Sequence, residues 1–234
     1  MAFHKRARET LLVVLSLLFG LQFLSPASLI SAGDSIGEPL FNFYTTNFPL
    51  RENPISENNS WSNGKAHGID WQNVRTRPGF AFFTKPNVDN YDDSTAILKG
   101  TWGPNQWVRA VVRIPNPDTQ YAMELEIRLR SSLSAHSSTG YEILGGTGIV
   151  RWNGPRGDFT ILQDEGPYGE LHDGDVFEAS IVANVITVYI NGVQVNRAVD
   201  STFWTGNPGM GFFTRNPNPP RFGFSSFTAS DVPF

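Results

Sequence analysis

The sequence predicts an all-β protein, a two-sheet antiparallel β-sandwich, and three observations carry that expectation. Period-two alternation of apolar and polar residues recurs along the chain, as in Met123, Leu125, Ile127 and Leu129 set against Glu124, Glu126, Arg128 and Arg130. Turn-forming pairs punctuate these runs, the clearest being Asn191-Gly192, where both residues must accept positive φ. Finally, no stretch of the part that builds the domain carries helical periodicity, and 22 glycines, 16 prolines and 18 phenylalanines suit short strands, many turns and an aromatic core.

The first residues are set apart from that domain. His4, Lys5, Arg6 and Arg8 precede the apolar run Leu11–Leu24, and small residues around Ala27 and Ala32 offer cleavage points. This is the pattern of a secretory signal peptide over residues 1–32, and the run is shorter than the roughly 20 residues that span a bilayer. The expected product is a secreted protein, extracellular or periplasmic, without a membrane partner after cleavage. Without Lys5, Arg6, Arg8 and Glu9 the chain keeps 15 basic and 21 acidic residues, a net charge of −6. That balance provides no electrostatic footprint for nucleic acid. The absence of cysteine excludes disulfides and thiol chemistry. Residues 33–234 suit a single large sandwich, expected as a monomer, with enough core to fold without staples.

Within that domain Leu40–Tyr44 is the first expected strand, and residues 45–78 look irregular because Asn53-Pro54, Glu57–Ser60 and Ser62–Gly64 are turn-prone. Gly79–Thr84, Thr95–Lys99 and Gln106–Ile114 follow as strands, then Tyr121–Arg130, the cleanest alternation of all. Tyr141–Leu144, Gly148–Trp152 and Phe159–Leu162 come next, with Asn153–Asp158 as a turn. Ala179–Ala183, Ile186–Ile190 and Val193–Val195 make a three-strand unit around Asn191-Gly192. A polar tract Asn196–Thr205 and a turn Gly206–Gly209 then lead to a strand from Met210 to Phe213, and Arg221–Ala229 is expected to return beside the first strand. A dozen short strands without helices bury their apolar faces by stacking two sheets.

Ile186–Asn191 with its hairpin, Asp200 and Gly206-Asn207-Pro208-Gly209-Met210-Gly211-Phe212 resemble the late strands of the concanavalin A-like lectin/glucanase jelly roll. Trp102, the Trp152-Asn153-Gly154 turn and His172-Asp173-Gly174-Asp175 are similar to exported bacterial members of that superfamily. The resemblance covers residues 38–234 and implies the fold. Its superfamily holds lectins, laminin-G-like modules, carbohydrate-binding modules, glucanases and alginate-lyase-like enzymes, so it leaves activity open. Laminarinase-like members carry Glu-x-Asp-x-x-Glu on one strand; here Glu124-Leu125-Glu126-Ile127 is followed by Arg128 instead of a third acid. The Arg-x-Glu-Leu-Arg, Gln-Ile-His and Tyr-Lys-x-Gly segments of alginate-lyase-like enzymes have no convincing counterpart.

The charged face Glu124, Glu126, Arg128 and Arg130 is the sharpest chemical candidate. Alternate residues on a strand stand roughly 7 Å apart, a separation at which two carboxylates serve as acid and base or nucleophile. Arginines beside them suit the carboxylate of a uronic acid. The plainer reading is a solvated, self-compensating face paired with Arg109, Arg113 or Glu142. Trp61, Trp71, Trp102 and Trp204 lie in or beside polar, turn-rich segments, and an indole offers its face to a pyranose ring. Trp107 is expected in the core. Arg151, Trp152 and Asn153 form a stacking and hydrogen-bonding set. His67, His136 and His172 lack the spacing of a zinc site. Asp89, Asp92 and Asp93, with Asn87 and Asn90, are weak candidates for structural Ca²⁺.

The sequence therefore points to a polysaccharide- or glycan-binding, lectin-like protein, its site built from Glu124, Glu126, Arg128, Arg130, Arg151, Trp152 and Tyr189. The rival is a glycoside hydrolase or polysaccharide lyase that uses Glu124 and Glu126. A third reading is a laminin-G-like adhesive module.

Overall fold

The computed structural model describes residues 41–67, 71–84, 93–116, 123–145, 148–164, 171–214 and 221–232. The expected signal peptide lies outside these residues, as do Asn87, Asp89, Asn90 and Asp92.

Fifteen strands and a single 3-10 turn, Gly64–His67, make up the regular structure among the described residues. The first half of the chain gives β1 (Phe43–Thr46), β2 (Trp61–Asn63), β3 (Val74–Arg77), β4 (Phe80–Phe83), β5 (Ser94–Leu98), β6 (Gln106–Arg113) and β7 (Met123–Ser134). The second half gives β8 (Ser137–Leu144), β9 (Gly148–Pro155), β10 (Phe159–Gln163), β11 (Val176–Val182), β12 (Val185–Ile190), β13 (Val193–Val199), β14 (Asn207–Thr214) and β15 (Gly223–Ser230). One sheet runs β13-β12-β11-β6-β15-β4-β3, with β1 also on β15; the other runs β10-β9-β8-β7-β14-β5-β2. All strand pairs are antiparallel. This is the all-β two-sheet sandwich that the alternation demanded.

The pleat sorts side chains as expected. Leu125, Ile127 and Leu129 of β7, Tyr141 and Ile143 of β8 and Met210 and Phe212 of β14 enter the core between the sheets. From the other sheet Val108, Ala110 and Val112 of β6, Phe177, Ala179 and Ile181 of β11 and Phe224, Phe227 and Ala229 of β15 meet them. At the β12–β13 hairpin Asn191 and Gly192 have φ of 52° and 77°, the left-handed pair the turn requires. The last strand does return beside the first, with Phe43 opposite Ser230.

Several boundaries differ from expectation. β2 and β3 occupy part of the stretch that looked irregular, because a three-residue edge strand such as Trp61-Ser62-Asn63 is too short to show alternation. β13 runs to Val199 and β14 starts at Asn207, so the tract taken as polar loop and turn is largely strand at both ends. Trp107 is not in the core: Gln106, Val108, Ala110 and Val112 point inward, which turns Trp107 to the outer face of the eight-stranded sheet. Counting the alternation from the apolar ring inverts the phase of that strand.

Candidate functional site

The outer face of the seven-stranded sheet, turned away from the core, holds the densest polar chemistry among the described residues. β7 supplies Glu126 and Arg128, β8 supplies Glu142, and Asp93 precedes β5. These side chains are buried, at 0% exposure for Glu126, 1% for Arg128, 4% for Glu142 and 5% for Asp93. The solvated charged face anticipated from sequence is thus sealed. Arg128 is opposite Glu142 in the β7–β8 register, and its guanidinium reaches Glu142 at 2.6 Å, Glu126 at 2.5 Å and Asp93 at 3.5 Å. Across β14 the position facing Glu126 is Gly211, where a built Cβ would overlap the Glu126 carboxylate. Glycine therefore lets Glu126 lie flat over the strand.

Two indoles close the cluster. Gln72 bonds backbone to backbone with Asp93 and Thr95, which docks the preceding Trp71 over the sheet. Arg128 stacks at 4.9 Å from the Trp71 ring centroid, and Trp71 meets Trp152 edge-on at 4.9 Å. Trp152 donates its indole N–H to Glu142 at 2.6 Å, and Leu133 packs against the two tryptophans.

Three carboxylates against one guanidinium, away from water, set the electrostatics. Burial, the largest influence, and the neighbouring Glu142 charge push the Glu126 carboxyl well above the usual range, and Arg128 offsets this only in part. Glu126 Oε1 and Arg128 Nε have no hydrogen-bond partner among the described residues. Carboxylate oxygens of Asp93, Glu126 and Glu142 lie within 4.8 Å of one another. Calcium takes six to eight oxygens, and here three carboxylates already surround a guanidinium that supplies positive charge. The Asp93, Glu126 and Glu142 cluster does not fit that ion.

The other residues singled out from sequence are dispersed. Glu124 lies on the same face as Glu126, opposite Phe213. Arg130 leaves that face at a bulge in β7, where the register shifts between Leu129 and Ser132. Its guanidinium donates to the carbonyls of Pro104, Phe203 and Ala183 at 2.6, 2.7 and 2.6 Å. Arg151, on the opposite face from Trp152, pairs with Asp200 at 2.5 Å and bonds Asn153, Thr202 and Thr160. Tyr189 lies on the outer face of the other sheet, in register with Glu178. Glu142 is indeed the cross-strand partner on this face, whereas Arg109 and Arg113 pair with Glu178 and Asp173 on the other sheet. His172 reaches Asp175 at 3.5 Å.

Beside the sealed cluster the same face is open. A cleft of about 260 Å³ is lined by Ser62, His67, Lys99, Ser132, Leu133 and Asn207, among others. Leu133 is shared between this cleft and the tryptophan pair. Ser62 Oγ and His67 Nε2 are 2.5 Å apart, and Lys99 Nζ donates to Asn59 Oδ1. Sequence reasoning missed the cleft because its residues come from β2, β5, β7, β14 and the 3-10 turn. No local motif links them.

No family model matches the chain, and no curated protein sequence does. Solved structures do share the fold. β-Agarase A in complex with oligoagarose superposes with a TM-score of 0.53 at 9% identity, covering 82% of this chain and 93% of that one. Porphyranase B from Zobellia galactanivorans gives 0.50 at 12% identity, covering 86% and 97%. A structure described for endo-acting O-glycanases of the human gut microbiota gives 0.53 at 7% identity, covering 81% and 99%. With the strand order described above, these similarities establish that the chain has the concanavalin A-like jelly-roll fold.

Proposed function

We propose that this protein is a secreted, monomeric carbohydrate-binding sandwich that holds a polysaccharide at the outer face of its seven-stranded sheet and leaves it uncut. The observation carrying the reading is the division of that face. An open cleft presents hydroxyl, imidazole and ammonium groups beside apolar Leu133. Glu126, Glu142 and Asp93 are buried with Arg128 against Trp71 and Trp152, which leaves Glu124 without an accessible second acid in that cluster. A few placed polar groups against an apolar wall is the usual make-up of a sugar site. The oligoagarose bound to the agarase of the same fold supports a glycan as the ligand class. Export is supported by the basic start and apolar run of residues 1–32.

The test is retention on a panel of immobilised polysaccharides, with reducing ends and unsaturated uronate measured in the same samples. Retention without release, weakened about tenfold in the exposed-site variants Lys99→Ala and His67→Ala, supports the reading. Release of either product overturns it in favour of an enzyme. One observation favours that second reading: a carboxylate oxygen of the protonation-prone Glu126 and one of Glu142 lie within 4.8 Å of each other, close enough for paired acids. In that case Glu126→Gln abolishes the release.

A further inference from the structure

Trp204 is the one tryptophan of six that stands well out of the protein, at 49% exposure. It sits in the loop between β13 and β14, flanked by exposed Ser201, Thr202 and Thr205. Exposed indoles on loops are ordinarily free to reorient, yet this one is braced from beneath. The Arg130 guanidinium stacks at 5.1 Å from the ring centroid, and its N–H groups are committed to the carbonyls of three different loops, at Pro104, Ala183 and Phe203. The same loops are tied further. Ala183 N donates to Asn105 Oδ1 at 2.9 Å, Phe203 N donates to the Tyr141 hydroxyl at 3.1 Å, and Gln106 Nε2 donates to Gly206 O at 2.7 Å. Arg130 itself is fully buried. A buried cation thus serves as the fixed base of an exposed ring.

We infer that Trp204 is a second carbohydrate subsite, a preorganised platform on which one pyranose ring of a polysaccharide stacks. The inference extends the glycan reading to the loop that runs into the cleft wall at Gly206 and Asn207, and it rests on that reading for its ligand class. Rigidity matters because a ring already held in place loses little freedom when a ligand arrives. The guanidinium lies against the indole, and the residue is still 49% exposed. A sugar fits better than a protein partner, because hydroxyl-bearing residues surround a solitary ring, whereas a stable protein interface needs roughly 800 Å² on each side with an apolar centre.

Intrinsic tryptophan fluorescence tests this directly, since Trp61, Trp71, Trp102 and Trp152 are buried. The full chain is titrated with soluble agaro-oligosaccharides, mixed-linkage β-glucan, xylan and polygalacturonate. At least one probe is expected to shift the emission saturably. The shift disappears in Trp204→Ala, whose affinity for that probe falls at least tenfold with an unchanged melting temperature, and Trp204→Tyr keeps most of the affinity. The Trp204 response survives in Lys99→Ala, which separates the platform from the cleft. Retention that depends on Lys99 with no Trp204-dependent shift overturns the platform and leaves the cleft standing. Absence of binding to every probe overturns both.

Discussion

Arg128 is the residue on which the outer face depends. Its guanidinium is shared among Glu126, Glu142 and Asp93 and stacked under Trp71, so removing it leaves carboxylates buried without their counter-charge. Arg128→Met is therefore expected to cost about 3–5 kcal/mol of stability, the range for breaking a buried ion pair from one side. Denaturant unfolding checks this. Glu126→Gln behaves oppositely, because it imitates the protonated form that burial already favours. The sign of the pH effect follows from the raised Glu126 value. The folded state holds this proton over a range in which the unfolded chain, at about 4.3 for glutamate, has lost it. Glu126 thus makes stability fall as pH rises above that ordinary value, and Glu126→Gln flattens this part of the profile. Asp200 acts at the acid end. Burial alone would raise its carboxyl, but hydrogen bonds from Tyr141, Thr202 and Arg151 overcome burial and hold it below the usual range. Its contribution is present at neutral pH and is lost as pH falls below the ordinary aspartate value, so Asp200→Asn removes that acid-side loss.

At the scale of elements, the β12–β13 hairpin and the β7 bulge carry the argument. Gly192 has φ of 77°, and Gly192→Ala is expected to cost about 1–2 kcal/mol, because a Cβ opposes the left-handed conformation. The hairpin was legible from sequence because Asn-Gly is a local signal with a local cause. The bulge was not. Glu124, Glu126, Arg128 and Arg130 alternate without interruption in the sequence, yet the extra residue between Leu129 and Ser132 takes Arg130 off the shared face and into three loop carbonyls. A bulge is decided by what the neighbouring strands accept, which alternation does not record. Arg130→Met should cost on the order of 3 kcal/mol, through buried carbonyls left unpaired. The loss appears as a lower denaturation midpoint together with greater acrylamide access to tryptophan.

For the whole molecule, two sheets and their mutual burial follow from alternation alone, because each apolar face has to meet another layer. The candidate site follows only in part. Glu126, Arg128, Glu142 and Trp152 were all visible as chemistry-bearing residues, and the structure brings these four together. Trp71 and Asp93, 22 positions apart in sequence, are brought alongside each other by the backbone bonds of Gln72 and then meet Arg128. Whether a charged strand face is solvated or sealed depends on such long-range cover, and no pattern within β7 encodes it. On the proposed reading, the burial of Glu126, Glu142 and Asp93 beside open hydroxyl and ammonium groups is what separates binding from cutting.

Affinity electrophoresis of the full chain through gels cast with individual soluble polysaccharides bears most directly on that claim. The account predicts that at least one polysaccharide retards the wild-type protein, that Lys99→Ala restores most of its mobility, and that the retarding polymer is recovered at its original length. A polymer shortened by the protein, or migration unaffected by every polysaccharide in the panel, contradicts it.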